Sequence, residues 1–80
     1  MSAEKAVFYK LSKSVKFSDT IPDRRLGYSQ IGLLAIILTC VAPDKRFRAE
    51  NFGKYTYEDV SITADNLSVL EKCGYVRRAS

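Results

Sequence analysis

The sequence predicts a small, mainly α-helical domain in which three helices precede a short strand. An uncharged and largely apolar segment at residues 29–42 is long enough for a helix but too short to cross a bilayer. Apolar and small side chains recur at helical spacing between residues 57 and 73. The chain has 80 residues, of which 46% are hydrophobic and 28% charged, as expected of one globular domain with one core.

Residues 1–25 are predicted to form a basic N-terminal arm, with six basic and three acidic side chains. The arm's apolar residues fit either a strand or a short helix, because the segment is too short for periodicity to decide. Aspartate and proline in residues 18–25 indicate a turn or loop. The arm's lysines are either solvated or form one edge of a phosphate-facing surface. They are Lys5, Lys10, Lys13 and Lys16.

The segment at residues 29–42 is predicted to be the central buried helix. It contains one glycine and no charge, so nearly every side of the helix is apolar and needs to be covered. Ser29 is expected to cap its first turn. Pro43 is expected to end it, because proline lacks the N–H that the helix needs and pushes the preceding residue out of helical geometry.

The second half of the chain is predicted to contain two further helices and a strand. After a turn at residues 43–46, Phe47 fits a strand of one or two residues, and a short second helix follows at residues 48–55. Thr56 and Asp59 have the spacing of a capping box, so a third helix begins at residue 57. It ends at residue 73, since Gly74 suits a left-handed C-terminal turn, and a strand follows at residues 75–78.

The residue types argue against several classes of function. The chain has no histidine, no glycine-rich phosphate loop and no nucleophile elbow. We therefore expect no enzymatic activity, no metal site, no cofactor and no small-molecule substrate. Cys40 and Cys73 are too few for a disulfide framework, and we expect both to be reduced and buried in a cytoplasmic protein. The net charge of +4 favours an anionic partner such as nucleic acid, and no membrane association is expected.

Three helices followed by a strand is the layout of a winged helix-turn-helix domain. Two stretches are the most specific, namely Phe47 to Lys54 and the run Leu70-Glu-Lys-Cys-Gly-Tyr, which begins 18 residues after Phe52. Both resemble the second and third helices of winged-helix DNA-binding domains. Residues 8–78 as a whole are similar to the branch found in replication-initiation and related proteins of phages and plasmids. The resemblance implies a three-helix core with a short β wing, which a single strand leaves incomplete.

The resemblance also implies binding of duplex DNA, in the control of replication or transcription of a mobile element. The third helix would lie in the major groove, while the wing and the flanking loops contact phosphates. The implied groove-facing positions are Val60, Ser61, Ala64, Asp65 and Ser68. The implied phosphate-contacting positions are Lys45, Arg46, Arg48, Lys54, Arg77 and Arg78.

The third helix departs from the family pattern in two respects. Its groove-facing positions hold none of the lysine, arginine, asparagine or glutamine side chains that best contact purines, and Asp65 would face a polyanion. Thr63 and Asn66 replace buried apolar or small residues. Val60, Ile62 and Val69 are apolar where the pattern is polar. Either the helix is rotated by part of a turn, or part of its apolar surface binds a protein.

An alternative hypothesis keeps the fold and changes the partner. In it, a small phage- or plasmid-encoded protein binds or inhibits a host protein through the acidic and partly apolar third helix. Homodimerisation through Val60, Ile62 or Val69 fits either hypothesis. The wing also leaves a choice open: either the N-terminal arm supplies its second strand, or the chain is a fragment of a longer protein.

Overall fold

A computed structural model of the chain describes residues 7–12, 15–42, 44–56 and 58–79. Within these residues the fold is helix-rich with a small antiparallel sheet, as the predicted mainly α class requires. The elements in chain order are β1 (Phe8–Leu11), α1 (Phe17–Thr20), α2 (Tyr28–Cys40), a 3₁₀ turn (Ala49–Phe52), α3 (Gly53–Thr56), α4 (Val60–Lys72) and β2 (Val76–Ala79).

The sheet joins the two ends of the described chain. β1 runs antiparallel to β2, with Phe8 opposite Ala79. On the other edge of β1, Tyr9 and Phe47 form an isolated bridge in which each N–H donates to the other's carbonyl oxygen at 2.9 Å. The predicted short strand at Phe47 is therefore confirmed. The N-terminal arm supplies the partner of β2, so the strand alternative for its apolar residues is realised in β1. Helix α1 occupies the start of residues 18–25, so the predicted turn or loop is wrong for residues 18–20 and is found only at residues 21–25.

Helix α2 begins one residue earlier than predicted, and its cap is different. The predicted cap, Ser29, lies inside the helix, and Gly27 is the N-cap. The Gly27 N–H donates to Oε1 of Gln30 at 2.6 Å, so a side chain in the first turn satisfies an otherwise unpaired donor. The helix ends at Cys40, two residues before the predicted end, because the backbone of Val41 is extended. Pro43 lies outside the described residues.

Helix α2 is covered less completely than predicted. Leu34 and Ile37 are fully buried, and Ile31, Ile36 and Leu38 are partly buried against the core, whereas Gly32, Thr39 and Cys40 are exposed. The reason is chain length, since a domain of 80 residues has too little material to enclose a whole helix. For the same reason Cys40, which was predicted to be buried, is exposed, and Cys73 is half-buried; both are free cysteines.

The second and third helices are present but are divided differently from the prediction. The second is the 3₁₀ turn, which continues directly into α3 and ends at Thr56. Because Thr56 is already helical, it cannot cap the next helix, and the predicted capping box is wrong. The N-cap is Asp59, whose extended backbone (φ −61°, ψ 145°) separates α3 from α4. Helix α4 therefore begins at Val60 rather than at residue 57, and Tyr57 lies outside the described residues.

The C-terminal end of α4 agrees with the prediction. Gly74 has a φ of +90°, which is the left-handed conformation that glycine adopts most easily. The N–H of Tyr75 donates to the carbonyl of Leu70 at 2.9 Å, and the N–H of Gly74 donates to the carbonyl of Glu71 at 3.1 Å. These two bonds form a Schellman motif, which satisfies the last helical carbonyls. The turn leads into β2 at Val76, one residue later than predicted.

One hydrophobic core joins α2, α4 and the sheet. Leu34 and Ile37 of α2, like Leu67 and Leu70 of α4, have no exposed surface, which confirms the predicted packing of the two helices. Residues from both strands and from the Phe47 bridge belong to the same cluster, so one face of the sheet lies on the core. The other buried apolar residues are Tyr9, Leu26, Leu33, Phe47, Ala49, Phe52 and Val76.

A polar cluster ties the loop after α1 to the turn after α4. The Tyr75 hydroxyl donates to Oδ2 of Asp23 at 2.6 Å. Arg25 donates to the same carboxylate from Nε at 3.0 Å and from Nη2 at 2.8 Å. The hydrogen bonds from Arg25, and then that from Tyr75, hold the pKa of Asp23 well below its ordinary value of 3.8. The hydrogen bond to Asp23 in turn raises the pKa of Tyr75.

Asp23→Asn is expected to lower stability at neutral pH more than at acid pH. A carboxyl whose pKa is lowered by folding stabilises the fold above its unfolded pKa and loses this effect as the pH falls through the folded pKa. The difference in free energy of unfolding between the native chain and the variant should therefore shrink below about pH 4. Urea denaturation at about pH 6 and about pH 3 measures this difference. An equal difference at both pH values would contradict the proposed role of the carboxylate.

Candidate nucleic-acid interface

The face of the sheet that points away from the core gathers basic residues from separate parts of the chain. Tyr9 and Phe47 are 5% and 2% exposed and point into the core. Side chains alternate between the two faces along an extended strand, so their neighbours point the other way. The neighbours are Phe8 and Lys10 in β1, together with Arg46 and Arg48 on either side of Phe47.

Strand β2 adds a further cation to this face. Val76 is 2% exposed and points into the core, so the next side chain, Arg77, points outward. Arg77 is exposed and is the cross-strand partner of Lys10. We call the set Phe8, Lys10, Arg46, Arg48 and Arg77 the outer sheet face.

Phe8 is the aromatic centre of the outer sheet face. The guanidinium carbon of Arg46 lies 4.6 Å from the centroid of the Phe8 ring, and that of Arg48 lies 5.6 Å from it. Both distances are within the range of a cation–π interaction, which orients the two guanidinium groups. On the β2 side, the cross-strand neighbour of Phe8 is Ala79, whose methyl group is too short to cover the ring.

The electrostatics of the outer sheet face favour an anionic ligand. Among the described residues, no ion pair involves Lys10, Arg48 or Arg77. Cations two positions apart along a strand are separated by about 6 to 7 Å, and neighbouring strands by about 4.8 Å. The positive charges are therefore close enough to act together on one phosphate-bearing ligand.

The six residues predicted to contact phosphates lie in three different places. Arg46, Arg48 and Arg77 lie together on the outer sheet face. Lys45 and Lys54 are exposed and line a groove between the end of α2 and α3, which Arg46 also borders. The Lys54 amine lies 5.2 Å from the centroid of the Tyr55 ring.

Arg78 does not belong to the outer sheet face. Its cross-strand partner is Tyr9, so the two side chains share the opposite face of the sheet. Arg78 Nε donates to Oε1 of Glu71 at 3.3 Å, and its guanidinium carbon lies 5.6 Å from the centroid of the Tyr9 ring. These contacts direct Arg78 towards α4.

Two members of the outer sheet face were not among the predicted site residues. Lys10 was recognised only as one of the arm lysines that were either solvated or phosphate-facing. Phe8 was included only among the arm's apolar residues, which fit either a strand or a short helix. Alternation along a strand could have placed Phe8 and Lys10 on one face and Tyr9 on the other. It identifies the outer face only when Tyr9 is known to pair with Phe47.

The predicted groove-facing side of α4 is exposed, as the family pattern implies. Among its members, Ser68 is half-buried and the others are exposed. Thr63 and Asn66 are buried together with Leu67 and Leu70, so the helix is not rotated to bring its apolar residues inward. Oδ1 of Asn66 accepts a hydrogen bond from Nε2 of Gln30 at 2.7 Å, which satisfies this buried amide oxygen within the fold.

Near the N-terminus of α4, the exposed side of the helix is acidic and would repel a polyanion. Glu58, Asp59 and Asp65 are all exposed there. Between them Val60 and Ile62 are 40% and 45% exposed. The N-terminal half of α4 therefore presents an acidic and apolar surface, in contrast to the outer sheet face.

Two further findings concern the described residues. They contain no group of three or more histidine, cysteine, aspartate or glutamate side chains that could hold a metal ion. None of their helices has both the length and the apolar character that a membrane span needs. Comparison of the chain with protein families, with curated protein sequences and with solved structures found no match.

Proposed function

We propose that this chain is a winged-helix-like domain that binds nucleic acid through its outer sheet face. The observation that supports this most is the convergence of Lys10, Arg46, Arg48 and Arg77 around Phe8. These cations come from three distant segments and are brought together only by strand pairing. Contacts between basic side chains and phosphates supply most of the sequence-independent affinity for nucleic acid.

The order of the elements supports the winged-helix part of this proposal. Helices α2, α3 and α4 are followed by β2, which pairs with β1 as a second strand of the wing would. In winged-helix domains the wing contacts the nucleic-acid backbone, and here the wing equivalent bears the basic surface. We extend the proposal to the control of replication or transcription of a mobile element, on the basis of the sequence resemblance over residues 8–78.

The proposal changes the expected role of α4. A helix that reads the major groove needs donors for purine edges, and the exposed positions of α4 instead bear Ser61, Ala64 and Asp65. The acidic N-terminal half would repel phosphates. We therefore assign the main contact to the sheet and not to the third helix.

Charge reversal on the outer sheet face is expected to weaken nucleic-acid binding. Arg48→Glu and Arg77→Glu each remove one phosphate contact, so each should flatten the slope of log affinity against log salt by about 1. Fluorescence anisotropy of labelled oligonucleotides over a salt series measures both affinity and slope. The matched control is Lys72→Glu, an exposed residue in the last turn of α4 that changes the net charge equally. Absence of binding by the native chain at low salt would refute the proposal.

A second candidate function is binding of a protein through α4. It is favoured by the exposed Val60 and Ile62, which lie between exposed carboxylates. A double variant, Val60→Ser with Ile62→Ser, should then lose a partner that the native chain captures from host lysate after nuclease treatment. Capture that nuclease abolishes would count against this candidate. Sedimentation of the native chain and the double variant would show whether the partner is a second copy.

A further inference from the structure

We propose that the outer sheet face is built for single-stranded nucleic acid, with an unpaired base stacked at the Phe8 ring. This inference rests on the proposed function and specifies its ligand. It begins from the position of Phe8, a half-buried aromatic ring at the centre of a basic surface, on the face of the sheet that does not pack on the core.

The surroundings of Phe8 favour a planar ligand. Two guanidinium groups lie over or beside the ring, at 4.6 Å and 5.6 Å from its centroid, and guanidinium groups themselves stack on planar rings. Towards β2 the neighbour of Phe8 is Ala79, whose side chain is a single methyl group. A base bound on this side of the ring would add a planar contact to the two cation–π contacts.

The cations are placed to bind the backbone of the same strand. Lys10 and Arg77 lie opposite each other two positions along the strands from Phe8 and Ala79, which corresponds to about 6 to 7 Å. Arg48 lies beside the ring. A single strand whose base stacks on Phe8 therefore has positive charge on both sides for its phosphates, the combination that defines single-strand binding surfaces.

A duplex fits this surface less well. Its bases are stacked on one another, so an aromatic ring on a sheet cannot stack on them without unpairing. Sequence reading of a duplex would depend on a helix in the groove, and the exposed face of α4 is acidic. A duplex can therefore make only phosphate contacts with the outer sheet face. A single strand can make phosphate contacts and also stack a base on Phe8.

Phe8→Ala tests the inference. Loss of one stacked base should weaken binding of single strands roughly 5- to 150-fold and leave duplex binding nearly unchanged. Oligothymidylate and oligouridylate of equal length distinguish DNA from RNA as the ligand, and a duplex of the same length is the third arm. The matched control is Phe17→Ala, which removes a phenylalanine that is 41% exposed on α1 and is not a member of the outer sheet face. This variant should bind as the native chain does.

A second variant keeps the test independent of any folding defect in Phe8→Ala. The native chain has no tryptophan, so Phe8→Trp introduces a single indole at the proposed stacking position. Its fluorescence should be quenched on addition of oligothymidylate or oligouridylate but not of duplex. Absence of quenching while single strands bind would overturn the inference.

The outcomes separate this inference from the proposed function. If Phe8→Ala keeps the native far-ultraviolet circular dichroism and weakens single-strand and duplex binding equally, or weakens neither, base stacking is refuted. The proposed function then still stands, provided that Arg48→Glu and Arg77→Glu weaken binding. If the native chain binds neither ligand at low salt, both proposals are refuted.

Discussion

Leu34→Ala is expected to cost about 2 to 5 kcal/mol in the free energy of unfolding. Leu34 has no exposed surface and lies in the core between α2 and α4, with Leu67 and Leu70 in the same cluster. Truncating its isobutyl side chain to a methyl group would leave a cavity whose lining loses contacts on one side. A domain of this length has a net stability of roughly 4 to 12 kcal/mol, so the loss is a large part of the total.

Urea denaturation of the native chain and of Leu34→Ala measures the effect through the shift of the midpoint. The matched control is Ile62→Ala, which removes a side chain of similar size that is 45% exposed on α4. It should change stability by no more than about 0.5 kcal/mol. Equal losses in the two variants would mean that α2 and α4 do not pack as the structure shows.

Gly74→Ala is expected to cost about 1 to 2 kcal/mol. The φ of Gly74 is +90°, and a Cβ in this region comes close to the following carbonyl oxygen. No neighbouring atom lies within 4 Å of the position where a Cβ would be, so backbone strain and not a clash causes the loss. Strain here would also disturb the Schellman motif, which directs the chain into β2.

Gly32→Ala provides a control of opposite sign for the Gly74 variant. Gly32 lies inside α2, is exposed, and has no atom within 4 Å of an added Cβ. Alanine there should stabilise the chain by about 0.5 to 1 kcal/mol, because glycine loses more backbone entropy in a helix. Thermal denaturation followed by far-ultraviolet circular dichroism compares the two variants directly. A stabilising effect of Gly74→Ala would contradict the left-handed turn.

The parts of the fold that local patterns encode could be predicted from the sequence. Leu67 and Leu70 recur at helical spacing. The apolar run around Leu34 is longer than a typical strand, so it predicts a helix. Gly74 directly follows Cys73, the C-cap of α4, which is the usual position of glycine at a helix end. These features depend on neighbours along the chain, so the helix pair and its final turn were expected.

The boundaries of the helices were harder to predict, because several residues competed for the same role. Ser29 and Thr56 are good caps by residue type, yet the structure uses Gly27 and Asp59 instead. In the first case the Gln30 side chain accepts from the backbone N–H of Gly27, and in the second α3 already includes Thr56. In both cases another local arrangement of the chain takes the place of the predicted cap.

The outer sheet face could be predicted only in part, because strand pairing between distant segments creates it. Arg46, Arg48 and Arg77 were expected to contact phosphates, but nothing local indicates that they flank Phe8. That arrangement follows from the bridge between Tyr9 and Phe47 and from the pairing of β1 with β2. The resemblance implied the same role for Arg78, although alternation along β2 turns its side chain towards Glu71.

The pairing of β1 with β2 has a consequence for ligand binding. Ends of a chain that are far apart in sequence must be brought together against loop-closure entropy, whereas adjacent helices meet early. The outer sheet face exists only while β1 is paired with β2 and with Phe47. The surface to which we assign ligand binding therefore depends on the contacts that carry the largest loop-closure cost.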